Sequence, residues 1–420
     1  MTIELDAETL DFSTLLRPGE CLAWGQASGE PTVLTERLFA QCGALPGLSA
    51  FIGMSWGTPL DAACVAGVRF SSYCGAGHNR IAERAGLLDI LPCHYAELPE
   101  LLSRRVDVLL LNLADDGRGG VSLGAAHDYL LPLVKSARLV IAEINDQTPW
   151  TYGQQVLSIR DLDVVVRSSR APVSLHRSPV GAAEQAIAAH VAGLVEDGAT
   201  LQLGIGSLPE AVLKALSGHH HLGLHSGLVC DGVVDLIEAG ALTNARKTHD
   251  RGVSVAGLAA GGPRLMAHIH QNQNFAFHST DYTHCFSVLA AQDRFTAINS
   301  AIEVDLTGQI NAEVAGGRYV GAVGGAGVFL RGARASHGGL PIIALPATIK
   351  GSDGVRSRIV ARLSGPVSTA RSDAGIIVTE HGVADLRGMS IAQRHRRMID
   401  IAAPEFRAAL QQALSCDTHG

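Results

Sequence analysis

The chain has 420 residues, a formal net charge of −7, and apolar and charged fractions of 47% and 17%. This length exceeds what one hydrophobic core usually holds, so two domains are expected. The acidic balance gives no reason to expect nucleic acid or an anionic membrane as a partner.

No targeting segment or membrane span is predicted. The N-terminal residues lack the basic start and apolar stretch of a secretion signal. No apolar run reaches the roughly 18 residues that a membrane-spanning helix needs. We therefore expect a cytoplasmic protein.

The N-terminal half contains apolar runs of strand length. They lack polar alternation, which is typical of strands covered on both faces in a parallel sheet. Helical patterns separate them, for example over residues 32–41, and this alternation indicates an α/β fold. The clearest runs are 20–25 (ECLAWG), 106–113 (VDVLLLNL) and 138–144 (RLVIAEI).

A serine-, proline- and arginine-rich stretch over residues 167–181 is interpreted as an inter-domain linker. A helix is predicted directly after it, over 182–198, and a strand leads from there into a glycine-rich turn. Strand, glycine turn, proline and helix also follow one another near residue 20, so the two halves are weakly alike. The sequence therefore predicts two similar open α/β domains with mainly parallel sheets, over residues 1–175 and 182–420.

The turn Gly204-Ile205-Gly206 lies within LQLGIGSLPEAVL (201–213), between a predicted strand and a predicted helix. Ser207 and Glu210 have the spacing of a capping box. Free N–H groups at such a helix start favour an anion, so a phosphate-bearing ligand is one interpretation and a tight turn without a ligand is the other. Pro209 stands where a dinucleotide fingerprint has its last glycine, which argues against a nicotinamide cofactor.

The cysteines and histidines form no pattern that requires a metal. The eight cysteines are scattered without a Cys-x-x-Cys pair, so free thiols are expected rather than a zinc ribbon. The tract His219-His220-His221, with His225 nearby, follows a predicted helix end, where cations favour the helix dipole. No metal site is predicted.

Two further segments, LGLHSGLVCDG (222–232) and VGGAGVF (323–329), complete a pattern that resembles family I coenzyme A transferases of the acetyl-CoA hydrolase/transferase group. The resemblance covers essentially the whole chain. Further matching segments are 121–124, 141–149, 298–313, 324–339, 356–360 and 378–388.

The resemblance implies a fold like that of NagB, RpiA and the CoA transferases, with the active site between two α/β domains. The N-terminal domain would serve the acyl or carboxylate side, and the C-terminal domain would carry the glycine loops that bind coenzyme A. Coenzyme A and acyl-CoA would be substrates, without a permanently bound cofactor. A homo-oligomer is also implied.

The chain departs from the family pattern where the chemistry is expected. The nucleophilic glutamate of the family is replaced by Gly227, and its glutamine and aspartate in the second glycine block by Ala326 and Val328. In the family, that glutamate attacks the thioester, and a mixed anhydride and then a glutamyl-CoA thioester form by covalent catalysis. Gly227 has no side chain that can attack.

Several residues are therefore candidates for the site. Catalytic candidates are Gly227 as the vacated position, His225 in the same motif, and Glu143 as a substitute carboxylate, because its predicted strand ends where open α/β sheets bind ligands. Asp231 and Cys230 are interpreted as scaffold. The candidates for coenzyme A binding are Gly204, Ile205, Gly206, Gly324, Gly325, Ala326, Lys350 and Arg358.

The expected function is an acyl-CoA:carboxylate coenzyme A transferase that acts on a short or medium carboxylic acid, with an altered nucleophile position. An acyl-CoA hydrolase that uses direct water attack is one alternative. A non-catalytic coenzyme A-binding homologue is the other. A transferase needs a second carboxylate, a hydrolase does not, and a binding protein has affinity without turnover.

Overall fold

The computed structural model describes residues 2–57, 60–153, 157–174, 179–351 and 354–417, and of residues 416 and 417 only the helical backbone. Part of the predicted linker, 175–178, and the predicted free thiol of Cys416 lie outside the described residues.

The chain divides into two compact units. The first contains residues 1–176, 227–231 and 253–283, and the second contains 177–226, 232–252 and 284–420. Two segments of the C-terminal half thus belong with the N-terminal unit, which the sequence analysis did not anticipate. The predicted division at 1–175 and 182–420, with its functional roles, stays a prediction.

The first unit is built on a parallel sheet. Its strands follow one another across the sheet in the order β1-β10-β8-β6-β2-β3-β4-β5, while β7 pairs antiparallel with the carboxyl end of β6 and β9 pairs antiparallel with β7. These strands are β1 (Ile3–Glu4), β2 (Cys21–Trp24), β3 (Ser49–Phe51), β4 (Arg69–Ser72), β5 (Leu88–Ile90), β6 (Val108–Asp115), β7 (Gly120–Ser122), β8 (Leu139–Asn145), β9 (Leu157–Ser158) and β10 (Val164–Ser168).

The apolar runs of the sequence form the centre of this sheet. Every residue of β8 is buried, as are all residues of β6 except the last. Helices on the sheet explain why these strands lack polar alternation. The helices between the strands are α1 (Thr32–Gln41), α2 (Asp61–Val65), α3 (Asn79–Arg84), α4 (Leu98–Ser103) and α5 (Leu130–Ser136).

The strand order reverses at β2. From β2 the chain proceeds outward through β3, β4 and β5, and it returns to the other side of β2 with β6. The carboxyl ends of β2 and β6 therefore lie side by side at a topological switch point, where open α/β sheets bind ligands.

The remaining strands belong mostly to the second unit. Its main sheet has the order β12-β11-β17-β22-β26-β27 and is parallel except for β27. Within the first unit, β13 pairs with β15 and β14 with β16. These strands are β11 (Thr200–Leu203), β12 (Gly223–Leu224), β13 (Leu228–Val229), β14 (Ser254–Ala256), β15 (Leu258–Ala259), β16 (Phe275–Phe277), β17 (Phe295–Asn299), β18 (Glu303–Asp305), β19 (Ile310–Asn311), β20 (Val314–Ala315), β21 (Arg318–Tyr319), β22 (Leu340–Ala344), β23 (Thr348–Gly351), β24 (Gly354–Ser357), β25 (Ile359–Val360), β26 (Ile376–Thr379) and β27 (Gly382–Asp385).

The predicted helix over 182–198 begins at residue 182 but ends at Ala192.

The α/β class with mainly parallel sheets is confirmed. Among the described residues, no helix is long and apolar enough to cross a membrane. The helices after α5 are α6 (Ala182–Ala192), α7 (Ser207–Ala215), α8 (Asp231–Glu238), α9 (Pro263–Ile269), α10 (Thr280–Thr283), α11 (Phe286–Ala290), α12 (Ala326–Ala335), α13 (Ile391–Asp400) and α14 (Pro404–Asp417).

Candidate active site

The first glycine turn connects β11 to α7 in the second unit. The N-cap of α7 is Gly206, at φ +117°, without a side-chain cap, so the predicted capping role of Ser207 is wrong: Ser207 is already helical. A Cβ atom added at Gly204 or Gly206 would meet nothing within 4 Å. The turn thus combines open space with uncapped N–H groups, which suits an anion.

The second glycine turn has the same construction. Gly324 has φ +58°, and Gly325 is the N-cap of α12 without a side-chain cap, so Ala326 is the first helical residue. A Cβ at Gly325 would lie 2.6 Å from Nε2 of His284. Burial lowers the pKa of His284 to about 3, so its imidazole is neutral. The sequence analysis missed His284, because only the tertiary structure brings it beneath this turn.

His225 and Ser226 are fully buried in the second unit. The backbone N–H of His225 donates to the carbonyl of Leu201 at 3.0 Å, and its ring packs edge-on against Phe295. The hydroxyl of Ser226 donates to the carbonyl of Leu203 at 3.1 Å. These contacts hold His225 within the packed interior of the second unit, and its predicted place in the site stays a prediction.

Gly227 is partly exposed and belongs to the first unit. Its carbonyl accepts a hydrogen bond from the N–H of Gly257 at 3.1 Å. The carbonyl of Gly257 in turn accepts from the N–H groups of His127 at 2.9 Å and Asp128 at 3.1 Å. Gly227, for which the place of the family nucleophile stays a prediction, is therefore connected through Gly257 to the loop that precedes α5.

Asp128 is a buried carboxylate that the sequence analysis missed. It accepts hydrogen bonds from Nε2 of Gln26 at 2.8 Å, from the Tyr95 hydroxyl at 3.0 Å and from the Tyr129 N–H at 2.6 Å. Burial raises the pKa of Asp128 to about 6, although these hydrogen bonds act in the opposite direction. In the sequence, Asp128 could have been found as a candidate site residue because the polar pair His127-Asp128 lies inside an apolar stretch.

Glu143 lies in β8, two residues before its carboxyl end, and is fully buried. Its carboxylate accepts from the Val33 N–H in the first turn of α1 at 3.0 Å and from the Ser168 hydroxyl at 2.7 Å. Burial raises its pKa. Glu143 therefore stabilises the start of α1, and a catalytic role for it stays a prediction that its burial argues against.

The two basic candidates differ in what their side chains contact. Lys350 is exposed on β23. The Arg358 guanidinium donates to the carbonyls of Ala301 and Ile302, the latter at 2.8 Å, and burial lowers its pKa. Lys350 is thus accessible to a phosphate, whereas Arg358 supports the backbone, and its phosphate role stays a prediction.

Asp231 accepts a hydrogen bond from the Gly262 N–H at 2.9 Å, as a scaffold residue does. The described residues contain no group of three or more His, Cys, Asp or Glu side chains that could hold a metal ion.

Comparison with known proteins covers both halves of the chain. Residues 7–176 match the acetyl-CoA hydrolase/transferase N-terminal domain, and residues 261–414 match the C-terminal domain of the same family. The 4-hydroxybutyrate coenzyme A transferase of Clostridium kluyveri is 36% identical over 397 residues, which are 93% of this chain and 92% of the relative. The succinyl-CoA:cyclohexane-1-carboxylate CoA transferase of Geobacter metallireducens is 33% identical over 96% of this chain and 93% of its own.

The crystal structure of RipA from Yersinia pestis superposes with a TM-score of 0.92 at 31% identity, over 99% of this chain and 98% of RipA. The chain belongs to the acetyl-CoA hydrolase/transferase family.

Proposed function

We propose that the protein is an acyl-CoA:carboxylate coenzyme A transferase that acts on a short or medium carboxylic acid. The observation that carries this proposal is the pair of glycine turns, at Gly204–Gly206 and Gly324–Gly325, that each lead into a helix without a side-chain cap. Such turns suit the phosphates or the thioester oxygen of an acyl-CoA. The relatives reported above are named as CoA transferases, which supports the same activity.

Since Gly227 has no side chain that can attack, we favour a route without an enzyme-bound intermediate. We propose that the acceptor carboxylate itself attacks the thioester carbonyl, where the family glutamate would attack. The C–S bond breaks, and a mixed anhydride and coenzyme A thiolate form. The thiolate then attacks the acceptor carbonyl of the anhydride, which releases the donor acid and the new thioester. Atoms and charge balance, and no side chain at residue 227 is needed.

Backbone N–H groups are the proposed stabilisers of the developing oxyanion. Each such donor contributes about 3–4 kcal/mol to lowering the barrier in other enzymes. Ala326 and Val328 carry no polar side chain, so backbone donors of the two turns would supply this function. Lys350 is the proposed contact for a phosphate of coenzyme A.

Steady-state kinetics test the proposal. Initial rates are measured while an acyl-CoA donor and a carboxylate acceptor, such as butyryl-CoA and acetate, are varied together. Direct attack requires both substrates to be bound at once, so the double-reciprocal lines should intersect. Parallel lines would indicate a covalent enzyme intermediate and would contradict the direct route, while still supporting a transferase.

The absence of a side chain at Gly227 also favours a second candidate, an acyl-CoA hydrolase in which water replaces the acceptor. Release of free coenzyme A at the same rate with and without added carboxylate would select this hydrolase. Tight binding of acyl-CoA without turnover would select the non-catalytic homologue. Both outcomes contradict the transferase proposal.

A further inference from the structure

A polar cavity lies within the second unit, at the amino ends of β11 and β17. Three arginines line it, Arg246, Arg251 and Arg294, the last of which directly precedes β17. The turn Gly204–Gly206 follows the carboxyl end of β11, so the cavity lies at the opposite edge of the same sheet. Its volume of about 420 Å³ is within the range of about 300–1,000 Å³ that is typical of small-molecule sites.

Two of these arginines stand on a loop, residues 244–252, that hydrogen bonds hold in place. The Gly252 N–H donates to the carbonyl of Asn244 at 3.1 Å, which joins the two ends of the loop. In its middle, the Thr248 N–H donates to the side-chain oxygen of Gln292 at 3.1 Å. Gln292 is fully buried and stands two residues before the third arginine. The fold therefore fixes the loop against the segment that carries the remaining guanidinium.

Two glycines leave room for the aliphatic stems of the arginines. A Cβ atom added at Gly198 would lie 2.8 Å from Cδ of Arg246, and one added at Gly338 would lie 3.3 Å from Cγ of Arg294. Both glycines have positive φ, +80° and +68°, a conformation that other residues rarely adopt. The stems are thus placed by the backbone beneath them, which lowers the entropy that a ligand would have to remove.

The donors of Arg246 and Arg251 are mostly unused. The Arg251 Nε–H donates to the carbonyl of Lys247 at 3.0 Å. With the described residues, the Arg246 guanidinium forms no hydrogen bond, and neither arginine forms an ion pair. A guanidinium is always charged and carries five N–H donors in a planar fork. Both groups therefore keep donors and charge for an anion.

The carboxylates around the cavity have partners of their own. They belong to Glu196, Asp197, Asp250 and Asp293. Glu196 pairs with Nε of Arg294 at 3.0 Å, and the charge of Asp250 acts on the buried Lys247. The pKa of Asp197 is lowered first by a hydrogen bond from the His220 N–H and to a smaller extent by charges that include Arg246. Arg251 is the guanidinium that these acids leave most available.

We propose that this cavity binds a small anion with two linked phosphate groups, such as pyrophosphate or the diphosphate of a nucleotide. Guanidinium forks from two chain segments can each contact a different phosphate oxygen. A carboxylate offers only two oxygens in one plane, so it would use fewer of these donors. The proposal does not rest on acyl-CoA transfer, since the cavity is complete within the second unit and lies away from both glycine turns.

Calorimetric titration of the full chain at low salt tests the proposal. The probes are pyrophosphate, ADP and citrate, each with and without added coenzyme A. We expect one pyrophosphate per chain, weaker binding of citrate, and an affinity that falls as salt is added. R246M and R251M should each weaken pyrophosphate binding about tenfold, the increment of one charge-assisted hydrogen bond.

The variants are chosen so that folding is preserved. R246M keeps the aliphatic stem on Gly198 and removes no hydrogen bond with a described residue, so its melting temperature should equal that of wild type. The matched control is R396M, which removes an exposed arginine of α13 in the same unit and should leave the affinity unchanged.

Each outcome supports or overturns the site. Tighter binding of ADP than of pyrophosphate would identify a nucleotide as the ligand, and equal binding would identify the diphosphate alone; both support the proposal. Pyrophosphate binding that R246M and R251M leave unchanged, citrate binding as tight as that of pyrophosphate, or no heat with millimolar probe would overturn it. Arginine-dependent binding in a protein that transfers no coenzyme A would overturn the transferase alone.

Discussion

Lys247 provides a quantitative test of how the segment before Gly227 is held. It is 1% exposed, and its Nζ donates to the carbonyl of Leu224 at 2.9 Å, directly before His225. Burial lowers the pKa of Lys247 from 10.5 to about 8. In the folded state this lysine therefore binds its proton less tightly than in the unfolded chain.

The sign of the pH dependence follows from this difference. Between about pH 8 and pH 10.5 the unfolded chain binds more protons than the folded protein, so stability rises with pH. With these two pKa values, linkage gives a contribution of about 2–3 kcal/mol to the free energy of unfolding between pH 7 and pH 10. The substitution K247M keeps the aliphatic volume and removes the titrating group.

The assay is urea unfolding of wild type and K247M from pH 7 to pH 10. The difference in free energy of unfolding, wild type minus variant, should become more positive by about 2–3 kcal/mol over this range. K214M removes an exposed lysine of the same unit and serves as the control, with a constant difference. A constant difference in K247M as well would refute the burial of a charged lysine beneath this segment.

Four further variants test other residues. G227E should convert intersecting initial-rate lines to parallel ones and give a glutamyl adduct detectable by mass spectrometry; unchanged kinetics would place the reaction elsewhere. The neutral Asp128 carboxyl stabilises the wild-type fold near pH 4, and this stabilisation is lost as the pH rises through about 6. D128N removes the titrating group, so the free energy of unfolding of wild type minus that of the variant should fall by about 2 kcal/mol between pH 4 and pH 7, as measured by unfolding at each pH. E143Q should destabilise by about 1 kcal/mol and retain turnover, since it weakens a helix start; loss of turnover at unchanged stability, measured in parallel, would instead support catalysis. K350A should weaken coenzyme A binding severalfold in calorimetry without a change in melting temperature, and equal affinity would exclude the phosphate contact.

The sequence predicted the elements that depend on local pattern. The apolar runs at 106–113 and 138–144 correspond to the buried strands β6 and β8, because a strand covered on both faces does not alternate polar and apolar residues. The helix over 32–41 was likewise predicted within its observed bounds. The prediction of these strands and this helix requires only the spacing of the apolar residues along the chain.

The parts that the sequence did not predict depend on tertiary contacts. Nothing local distinguishes residues 253–283 as members of the first unit, since the partners that connect them to its N-terminal part, among residues 125–152, lie more than a hundred residues away. The burial of Glu143 and Asp128 likewise follows from packing. The N-cap of α7 was misassigned because a serine before a helix is usually its cap, whereas here Gly206 takes that position.

The return of two late segments to the first unit has a consequence for biosynthesis. Residues 227–231 and 253–283 complete that unit, so its full set of contacts cannot form until residue 283 has been synthesised. The interval after residue 176 is 283 − 176 = 107 residues, or roughly 5–20 s of translation at about 5–20 residues per second. During this time the sheet formed by β1–β10 lacks its later partners, and the second unit begins to emerge before the first is finished. The first unit therefore cannot be complete before part of the second has been synthesised, and a chain cut at residue 176 would not yield an intact first unit.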